Sequence, residues 1–226
     1  MSDRTKGGGV RYLAADDELL ALEYAKYQAG FRFVVGIDEV GRGPLAGPVV
    51  AAAVGFPPGV EIPAVNDSKQ LSCEQREELD KAIRAVPGVK IAIAEVPVEV
   101  IDEINILRAT HKAMREAAAA IPEADCLLVD GLPVPGLPAE SFSVVKGDAK
   151  SASIAAASIA AKVYRDRLMV ELDSRYPGYG FAENKGYGTA GHLKALKELG
   201  VTPVHRRSFA PVRDIIEPPP EQLELF

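Results

Sequence analysis

The stretch VVGIDEVGRGPLAGPVVAAAVGF, residues 34–56, contains two apolar runs separated by two acids and a glycine-rich turn. The first run has the β-branched residues typical of a buried strand, and it ends on Asp38 and Glu39. The turn Gly-Arg-Gly at 41–43 follows, and the second apolar run begins at Pro48. The order strand, acids, tight turn and strand predicts carboxylates held rigidly at the edge of a sheet.

The two adjacent acids indicate a cation site, although a simpler interpretation exists. Acids at the end of a buried strand are costly to remove from water unless positive charge lies against them, and a divalent cation commonly supplies it. Because adjacent residues of a strand point to opposite faces, Asp38 and Glu39 can share one ion only if the strand ends there, which Gly41 permits. Taken alone, this segment is better explained by a polar turn between two core strands, and the acids later in the chain change that balance.

Two further acids lie at the ends of predicted strands. Asp130 ends the apolar run 125–130, and Asp148 lies just past the predicted strand 142–145. Since the ends of neighbouring strands come within several Å of one another, these acids and Asp38 can converge at one sheet edge. Such carboxylates cannot all stay ionised without a counter-charge, and ligands that are all oxygen suit Mg²⁺ or Mn²⁺ rather than zinc. The cluster is typical of a two-metal phosphoryl-transfer site, although each acid alone could simply cap a loop.

Apolar periodicity and capping residues predict an α/β chain with a mixed sheet. Three strands come early, helices follow, and a strand-loop-strand-helix unit comes next. The predicted strands are 33–37, 48–56, 90–96, 125–130 and 142–145, and the predicted helices are 16–29, 72–85, 98–105, 106–120, 151–176 and 189–199.

The composition is that of an ordinary globular enzyme, with 226 residues, 47% hydrophobic and 26% charged. No apolar run reaches the roughly 18 residues that a membrane helix needs, and the N-terminus lacks the apolar core of a signal peptide, so we expect a cytoplasmic protein. Cys73 and Cys126 are far apart and outside any Cys-x-x-Cys pair, which favours neither zinc nor a disulfide framework. No exposed apolar stripe suggests an oligomer, and we expect a monomer.

The charge is unevenly distributed along the chain. The net charge is −6, but residues 146–213 contain 12 Lys and Arg against 6 acids, whereas the remainder contains 14 against 26. A part with net charge +6 on an otherwise acidic chain is consistent with an electrostatic footprint for phosphates. On charge alone, basic residues on solvated helix faces would explain the excess equally well.

The segment GIDEVGRGPLAGPVVAAAV, residues 36–54, resembles the signature of the type 2 ribonucleases H, specifically bacterial ribonuclease HII. Four later segments resemble other motifs of that family, and the resemblance covers about 13–209; these segments are 66–69, 146–151, 185–189 and 205–209. It implies a ribonuclease H-like fold, a mixed five-stranded sheet flanked by helices with a small helical C-terminal region. The implied organisation is a disordered tail at 1–12, a catalytic domain at 13–213 and a flexible tail at 214–226.

The resemblance implies an endoribonuclease that hydrolyses the RNA strand of RNA–DNA hybrids. It also implies cleavage on the 5′ side of single ribonucleotides embedded in duplex DNA, as in ribonucleotide excision repair and DNA replication. The reaction is expected to use two divalent cations, Mn²⁺ or Mg²⁺, and to leave 5′-phosphate and 3′-hydroxyl ends. The catalytic and metal-binding carboxylates are expected to be Asp38, Glu39, Asp130 and Asp148.

Substrate contacts are also implied by the family motifs. A protein that cuts RNA in a duplex with DNA must sense the 2′-hydroxyl, and glycine-flanked amides can approach it closely. Tyr187, between two glycines, is expected to stack on the sugar just after the ribonucleotide, although a half-buried loop aromatic is the alternative. The expected substrate-binding residues are Gly41, Arg42, Gly43, Lys69, Lys150, Ser151 and Tyr187. Asp166, in the middle of a predicted helix, is expected to form ion pairs.

Two other functions remain open. A DNA-directed nuclease or strand-transfer enzyme of the same fold would use similar carboxylates but would need neither the Gly-Arg-Gly turn nor Tyr187. A catalytically silent hybrid-binding module would be expected to have lost at least one of the four carboxylates, and all four are present. The type HIII branch of the family carries an extra N-terminal domain and lacks the turn, whereas the first strand here is predicted near residue 33.

The last residues predict a partner-binding peptide. A proline run at 218–220 would hold the following residues away from the body of the protein. The ending Gln-Leu-Glu-Leu-Phe resembles the peptide that binds the bacterial sliding clamp, and the alternative is that it folds back on the domain. The expected partner-binding residues are Gln222, Leu223, Leu225 and Phe226.

Overall fold

A computed structural model describes residues 10, 12–14, 17–65 and 71–218. These residues contain a five-stranded sheet in the order β3-β2-β1-β4-β5. The strands are β1 (Val34–Val40), β2 (Val49–Gly55), β3 (Lys90–Val96), β4 (Cys126–Asp130) and β5 (Glu140–Val144). β1 pairs antiparallel with β2 and parallel with β4, β2 pairs antiparallel with β3, and β4 pairs parallel with β5. The predicted mixed sheet is therefore confirmed.

Eight α-helices lie in the described part of the chain. They are α1 (Ala21–Gln28), α2 (Cys73–Arg84), α3 (Val98–Ile104), α4 (Ile106–Ala119), α5 (Ala152–Arg175), α6 (Phe181–Asn184), α7 (Ala190–Leu199) and α8 (Ala210–Ile216). Short 3₁₀ turns at Glu18–Leu20 and Gly147–Ala149 precede α1 and α5. None of these helices combines the length and the apolar character that crossing a bilayer requires.

Capping residues explain where several helices begin. Ser72 caps α2 with a complete capping box, since its hydroxyl accepts from Gln75 N–H and the Gln75 side chain accepts from the Ser72 N–H. Thr189 caps α7 by accepting from His192 N–H. Both starts are those predicted from the sequence.

The sheet is covered on both faces, which makes it the centre of the fold. Val35 and Ile37 of β1 pack with the buried alanines of α4 on one face. On the other face, the even positions of β2 pack with the alanine-rich first half of α5. Side chains alternate along a strand, so each residue of β1 is assigned to the α4 face or to the α5 face.

Gly36 allows β1 and α5 to touch through their backbones. A β-carbon at residue 36 would lie 2.2 Å from the backbone N of Ile154 and 2.2 Å from the carbonyl carbon of Ser153. The same closeness explains why Ala155 and Ala156 in the first turns of α5 are small and fully buried. The helix is thereby seated directly over the strand that carries the two adjacent acids.

A third layer of packing forms the small helical C-terminal region. Met169 and Leu172 of α5, Phe181 of α6, Leu196 of α7 and Val212 of α8 share one buried cluster. Helices α6 and α8 were not predicted from the sequence. Helix α8 continues to residue 216, so it overlaps the first three residues of the tail that was predicted to begin at 214.

Several predictions fall outside the described residues. Residues 1–9 and 11 belong to the predicted N-terminal tail, and Lys69 belongs to the segment 66–70. All four residues of the predicted partner-binding peptide lie in the segment 219–226.

We predict that Gly36→Ala lowers stability sharply, because the added methyl group meets backbone rather than a side chain that can move. Overpacking of this kind costs about 1–3 kcal/mol or more, which corresponds to about 2–4 °C in Tm per kcal/mol in a domain of this size. Thermal unfolding followed by circular dichroism measures the change.

Gly191→Ala is the matched control, because Gly191 is exposed on α7 and a β-carbon there meets nothing within 4 Å. Its Tm should stay at or above that of the wild type. An unchanged Tm for Gly36→Ala would contradict the close contact between β1 and α5.

Candidate active site

Asp38 is a buried acid on the α5 face of the sheet. Its residue is 6% exposed, and its carboxylate accepts hydrogen bonds from the Ser158 hydroxyl of α5 and from the Glu39 N–H at 2.7 Å. Val35 and Ile37 face α4, so the alternation of the strand places Asp38 on the opposite face. The contact between β1 and α5 therefore sets the position of this carboxylate.

The expectation that the strand ends at the two acids is wrong. β1 continues to Val40, and Asp38 and Glu39 are paired in register with Ala52 and Ala51 of β2. Glu39 consequently lies on the α4 face, where its carboxylate forms an ion pair with Arg42 at 3.2 Å and interacts electrostatically with His111. The two adjacent acids reach the sheet edge from opposite faces.

Asp130 lies beside Asp38 at the end of the neighbouring parallel strand. Ile37 is in register with Val129, so Asp38 and Asp130 are the next pair along, and strands lie about 4.8 Å apart. The Asp130 carboxylate accepts the N–H of Gly147 at 2.6 Å. Because Asp148 directly follows Gly147, this hydrogen bond brings the turn carrying Asp148 to the same edge.

The acids affect one another electrostatically. Burial, then the charge of Glu39 and the charge of Asp130, raise the pKa of Asp38 well above its usual range, against the hydrogen bond from Ser158. The folded chain therefore holds a carboxylate that is difficult to ionise next to two others. A nearby cation would relieve this repulsion.

The donor set fits a hard divalent cation, while the side chains do not form a finished ligand shell. The ligands available at this edge are carboxylate oxygens, which suit Mg²⁺ or Mn²⁺. In the described part of the chain, no three His, Cys, Asp or Glu side chains surround a common point. This agrees with mutual repulsion of the acids and with Glu39 being drawn to Arg42. The residues that would hold the metal are the four predicted carboxylates.

The Gly-Arg-Gly turn leads directly out of β1. Gly41 adopts φ +91°, and a β-carbon there would lie 2.3 Å from Nε of Arg165. Its neighbour Arg42 is half exposed and reaches back to Glu39. Glycine is thus required at residue 41 both by the backbone conformation and by the lack of room.

Tyr187 lies against this turn. A β-carbon on Gly43 would be 3.4 Å from Cε1 of Tyr187, and 46% of Tyr187 is exposed. Tyr187 also borders an open cleft together with Glu39 and Ser158. Glu39 and the turn that follows it therefore lie close to Tyr187, which is far away in sequence.

The other predicted substrate contacts have different outcomes. Lys150 is exposed just after the turn carrying Asp148. The prediction that Ser151 contacts substrate is wrong. Ser151 is fully buried, caps α5 and donates a hydrogen bond from its hydroxyl to the Glu23 carboxylate at 2.6 Å. A side chain held in this way is not available to a phosphate, so we leave Ser151 out of the proposed substrate surface.

Asp166 forms ion pairs, as predicted, but with partners other than its neighbours in sequence. Its carboxylate contacts Lys162 at 2.6 Å and Arg76 at 3.8 Å. His192 of α7 is fully buried.

Two buried arginines were missed by the sequence analysis. Arg165 and Arg206 are each 0% exposed, and their guanidinium groups donate to main-chain carbonyls. Arg165 donates to Pro48 at 3.1 Å, to Ala46 at 3.1 Å and to Lys185 at 2.9 Å. Burial is the main reason that the pKa falls to about 10 for Arg165 and to about 9 for Arg206. These two cations therefore contribute nothing to the surface charge counted for residues 146–213.

A sequence signal existed for one of them. Arg165 is four residues from Ala161 and from Met169, so it lies on the buried stripe of α5. An arginine at such a position must satisfy its donors inside the protein. Arg206 lies in an irregular segment, and periodicity gives no information about it.

Comparison with known proteins shows strong similarity to one family. The family model described as Ribonuclease HII matches residues 35–212. A protein named Ribonuclease HII from Geobacillus kaustophilus is 54% identical over 202 residues, which cover 89% of this chain and 77% of that relative.

Solved structures share the fold. Ribonuclease H2 from Pyrococcus horikoshii OT3 superposes with a TM-score of 0.65 at 29% identity, over 81% of this chain and 96% of the other. The PCNA:RNase HII complex from Archaeoglobus fulgidus gives a TM-score of 0.63 at 27% identity, over 78% of this chain and 95% of the other. The predicted ribonuclease H-like fold is therefore confirmed.

We predict that Asp38→Asn raises the stability of the metal-free protein at pH 7. The raised pKa means that Asp38 contributes most to stability when protonated at low pH, and that this contribution is lost as the pH rises through the folded-state pKa. Asparagine keeps the shape without the charge, so we expect a gain in Tm. It should disappear in acid.

Thermal unfolding with and without Mg²⁺ provides the check. Mg²⁺ should raise the Tm of the wild type more than that of Asp38→Asn, and the exposed Asp214→Asn serves as the control. A lower Tm for Asp38→Asn at pH 7 without metal would contradict the uncompensated charge.

Proposed function

Since this chain belongs to the ribonuclease HII family, it is an endoribonuclease of RNA–DNA hybrids, and we propose that it also cuts 5′ of single ribonucleotides in duplex DNA. The observation that carries the proposal is one surface that combines an acid cluster, a glycine turn and an exposed tyrosine. The first supplies the chemistry, and the other two supply selectivity.

The four carboxylates are proposed to hold two divalent cations, Mg²⁺ or Mn²⁺, on which this family depends. When bound, the cations would supply positive charge at the scissile phosphate and would lower the pKa of a water, so that it loses a proton more easily and attacks as a better nucleophile. Support comes from the burial of Asp38 beside Glu39 and Asp130, whose mutual repulsion a bound cation would relieve. The residues that would bind the metal are Asp38, Glu39, Asp130 and Asp148.

The protein's own contribution is to hold these carboxylates in place. The Ser158 hydroxyl and the Glu39 N–H orient Asp38, and the Gly147 N–H orients Asp130. Prepositioned charge of this kind avoids reorganisation during the reaction. Attack in line on phosphorus, with cleavage of the bond to the 3′ oxygen, would leave the expected 5′-phosphate and 3′-hydroxyl ends.

The Gly-Arg-Gly turn is proposed to recognise the 2′-hydroxyl through its amides. The carbonyls of Gly41 and Arg42 accept from Arg206 at 2.5 Å and 2.9 Å, in the interior. In a trans peptide the next N–H points the opposite way, so the N–H groups of Arg42 and Gly43 point away from Arg206. Neither N–H donates a hydrogen bond to the residues that the structure describes. Two outward donors beside the acids suit a hydroxyl oxygen.

Tyr187 is proposed to stack on the sugar next to the ribonucleotide. Its ring is nearly half exposed at the border of the cleft and in reach of Gly43. An aromatic ring there would favour a deoxyribose, which lacks the 2′-oxygen, over a ribose. Lys69 and Lys150 remain proposed phosphate contacts.

The C-terminal peptide is proposed to bind the bacterial sliding clamp. Its residues Gln222, Leu223, Leu225 and Phe226 lie beyond the described part of the chain, so the proposal rests on the sequence. The complex with PCNA gives a precedent for such an association in an archaeal member of the family.

We predict that the protein cuts a labelled duplex once, on the 5′ side of a single ribonucleotide, in the presence of Mg²⁺ or Mn²⁺. Asp38→Asn should lower the rate by at least about 100-fold, because the interaction removed acts on charge that develops in the transition state. Denaturing electrophoresis of the labelled strand gives both the rate and the position of the cut.

An all-DNA duplex and a continuous RNA–DNA hybrid are the control substrates. The first should stay intact and the second should be cut at several positions. Cleavage of the all-DNA duplex at a similar rate would instead indicate a DNA-directed nuclease.

We predict that replacing Leu225 and Phe226 together by alanine abolishes binding to the sliding clamp, since these are the apolar anchors. A pull-down with purified bacterial clamp measures the effect. Glu224→Gln, which changes the residue between the two leucines, should bind like the wild type. Retention of full binding by the double variant would remove the proposal.

A further inference from the structure

The segment 204–206 runs alongside the segment 45–47, just beyond the Gly-Arg-Gly turn. Arg206 N–H donates to the Leu45 carbonyl at 2.8 Å, and Gly47 N–H donates to the Val204 carbonyl at 2.9 Å. Ala46 and His205 form an antiparallel bridge between them. Adjacent residues of an extended segment point to opposite sides, so His205 and Arg206 can support two different structures.

Arg206 supports the turn. Besides the carbonyls of Gly41 and Arg42, its guanidinium contacts the Gly47 carbonyl through Nε at 3.0 Å and through Nη2 at 2.8 Å. Burial and the neighbouring Arg165 lower its pKa to about 9, so keeping a guanidinium here is costly. The planar, forked geometry of the group lets it bind two carbonyls of the turn and the carbonyl of Gly47 at once.

His205 supports the tyrosine through a second histidine. Thr202 N–H donates to Nδ1 of His205 at 3.0 Å, so the proton of this ring is on Nε2. That nitrogen lies 3.0 Å from Nε2 of His192, which must therefore accept and carry its own proton on Nδ1. Nδ1 of His192 donates in turn to the Tyr187 carbonyl at 2.9 Å. Every hydrogen bond in this series runs in one direction, towards Tyr187.

The surroundings keep this series of hydrogen bonds intact. His205 and His192 are 1% and 0% exposed and pack against the rings of Tyr179 and Phe181. Burial, and then the neighbouring His192, lower the pKa of His205 to about 4, so both rings are neutral near pH 7. Neutral rings are what the one-directional series requires.

We infer that His205 and Arg206 are positioning residues for substrate selectivity. Arg206 positions the turn that is proposed to recognise the 2′-hydroxyl. His205 acts through His192 to position Tyr187, which is proposed to read the junction with DNA. The inference rests on the proposed function, since it assigns the supports of the two proposed substrate readers. The two readers are neighbours, since a β-carbon on Gly43 would lie 3.4 Å from Cε1 of Tyr187, so one dipeptide sets their relative placement. Neither His205 nor Arg206 touches substrate.

Arg206→Lys tests the support of the turn. Lysine keeps the charge, but its three donors lie on one nitrogen and cannot replace the four hydrogen bonds that Arg206 makes through three nitrogens. We therefore expect kcat/KM to fall about 10- to 100-fold on the single-ribonucleotide duplex and equally on the continuous hybrid. Both substrates present the 2′-hydroxyl that the turn would read. Arg207→Lys, at the exposed neighbouring arginine, is the control and should match the wild type.

His205→Phe tests the support of the tyrosine. It should lower kcat/KM about 10-fold on the single-ribonucleotide duplex and by less than about 3-fold on the continuous hybrid, as Tyr187→Ala should. His205→Gln, whose amide can still donate to His192, should restore most of the selectivity. An equal loss for His205→Phe on both substrates would overturn the role assigned to His205, because a purely structural defect lowers both alike. For Arg206→Lys, the exchange measurement below makes this distinction.

Hydrogen exchange measured by mass spectrometry tests the same inference without activity. Arg206→Lys should speed exchange in residues 41–47, and His205→Phe should speed it in residues 185–189, each with little change in the other segment. Exchange unchanged or raised uniformly would overturn the inference. If the wild type cut no ribonucleotide substrate, the proposed function would fail, and the exchange pattern would still decide the positioning roles.

Discussion

The backbone contact between β1 and α5 at Gly36 is the constraint on which the rest of the structure depends. It leaves no room for a side chain, and it explains the run of small residues at the start of α5. With the helix held this close, Ser158 lies over Asp38 and donates to its carboxylate. Strand β1 is thus oriented by the close packing of its main chain against α5.

The buried charged side chains of this protein have two different kinds of surroundings. Arg165 and Arg206 are fully buried, and their donors are satisfied by main-chain carbonyls of the turn and of nearby segments. Asp38 is also buried, but its nearest charged neighbours are the acids Glu39 and Asp130. The buried cations hold the turn in place through hydrogen bonds, whereas a cation from outside the protein would stabilise the anions at the sheet edge.

Selectivity on this surface is proposed to come from segments that are distant in sequence. The turn at 41–43, the loop around Tyr187 and the segment 204–206 are joined by hydrogen bonds, and Tyr187 lies close to Gly43. Each segment is irregular, and each is held by buried polar groups rather than by a regular ladder. Irregular segments can present free amides and an exposed ring to a ligand, which strand and helix interiors cannot.

The fold class, the order of the strands and most helices, and the acids near the strand ends could all be predicted from the sequence. Strand β3 and the starts of α2 and α7 lie where they were predicted, because apolar periodicity and caps act over a few residues. Helices α6 and α8 were not predicted. Helix α6 has only four residues, too few to show a periodic pattern, and Phe181 packs against residues of other helices.

The contacts that support the site became visible in the folded structure alone. It showed that β1 continues through Glu39, that Ser151 is a buried cap, and that Arg206 holds carbonyls 164 and 165 residues away in sequence. Such contacts join side chains to main-chain groups of distant segments, and no local pattern of residue types encodes them. The chemistry could be predicted from local sequence, whereas its support depends on which distant carbonyls the fold brings within reach.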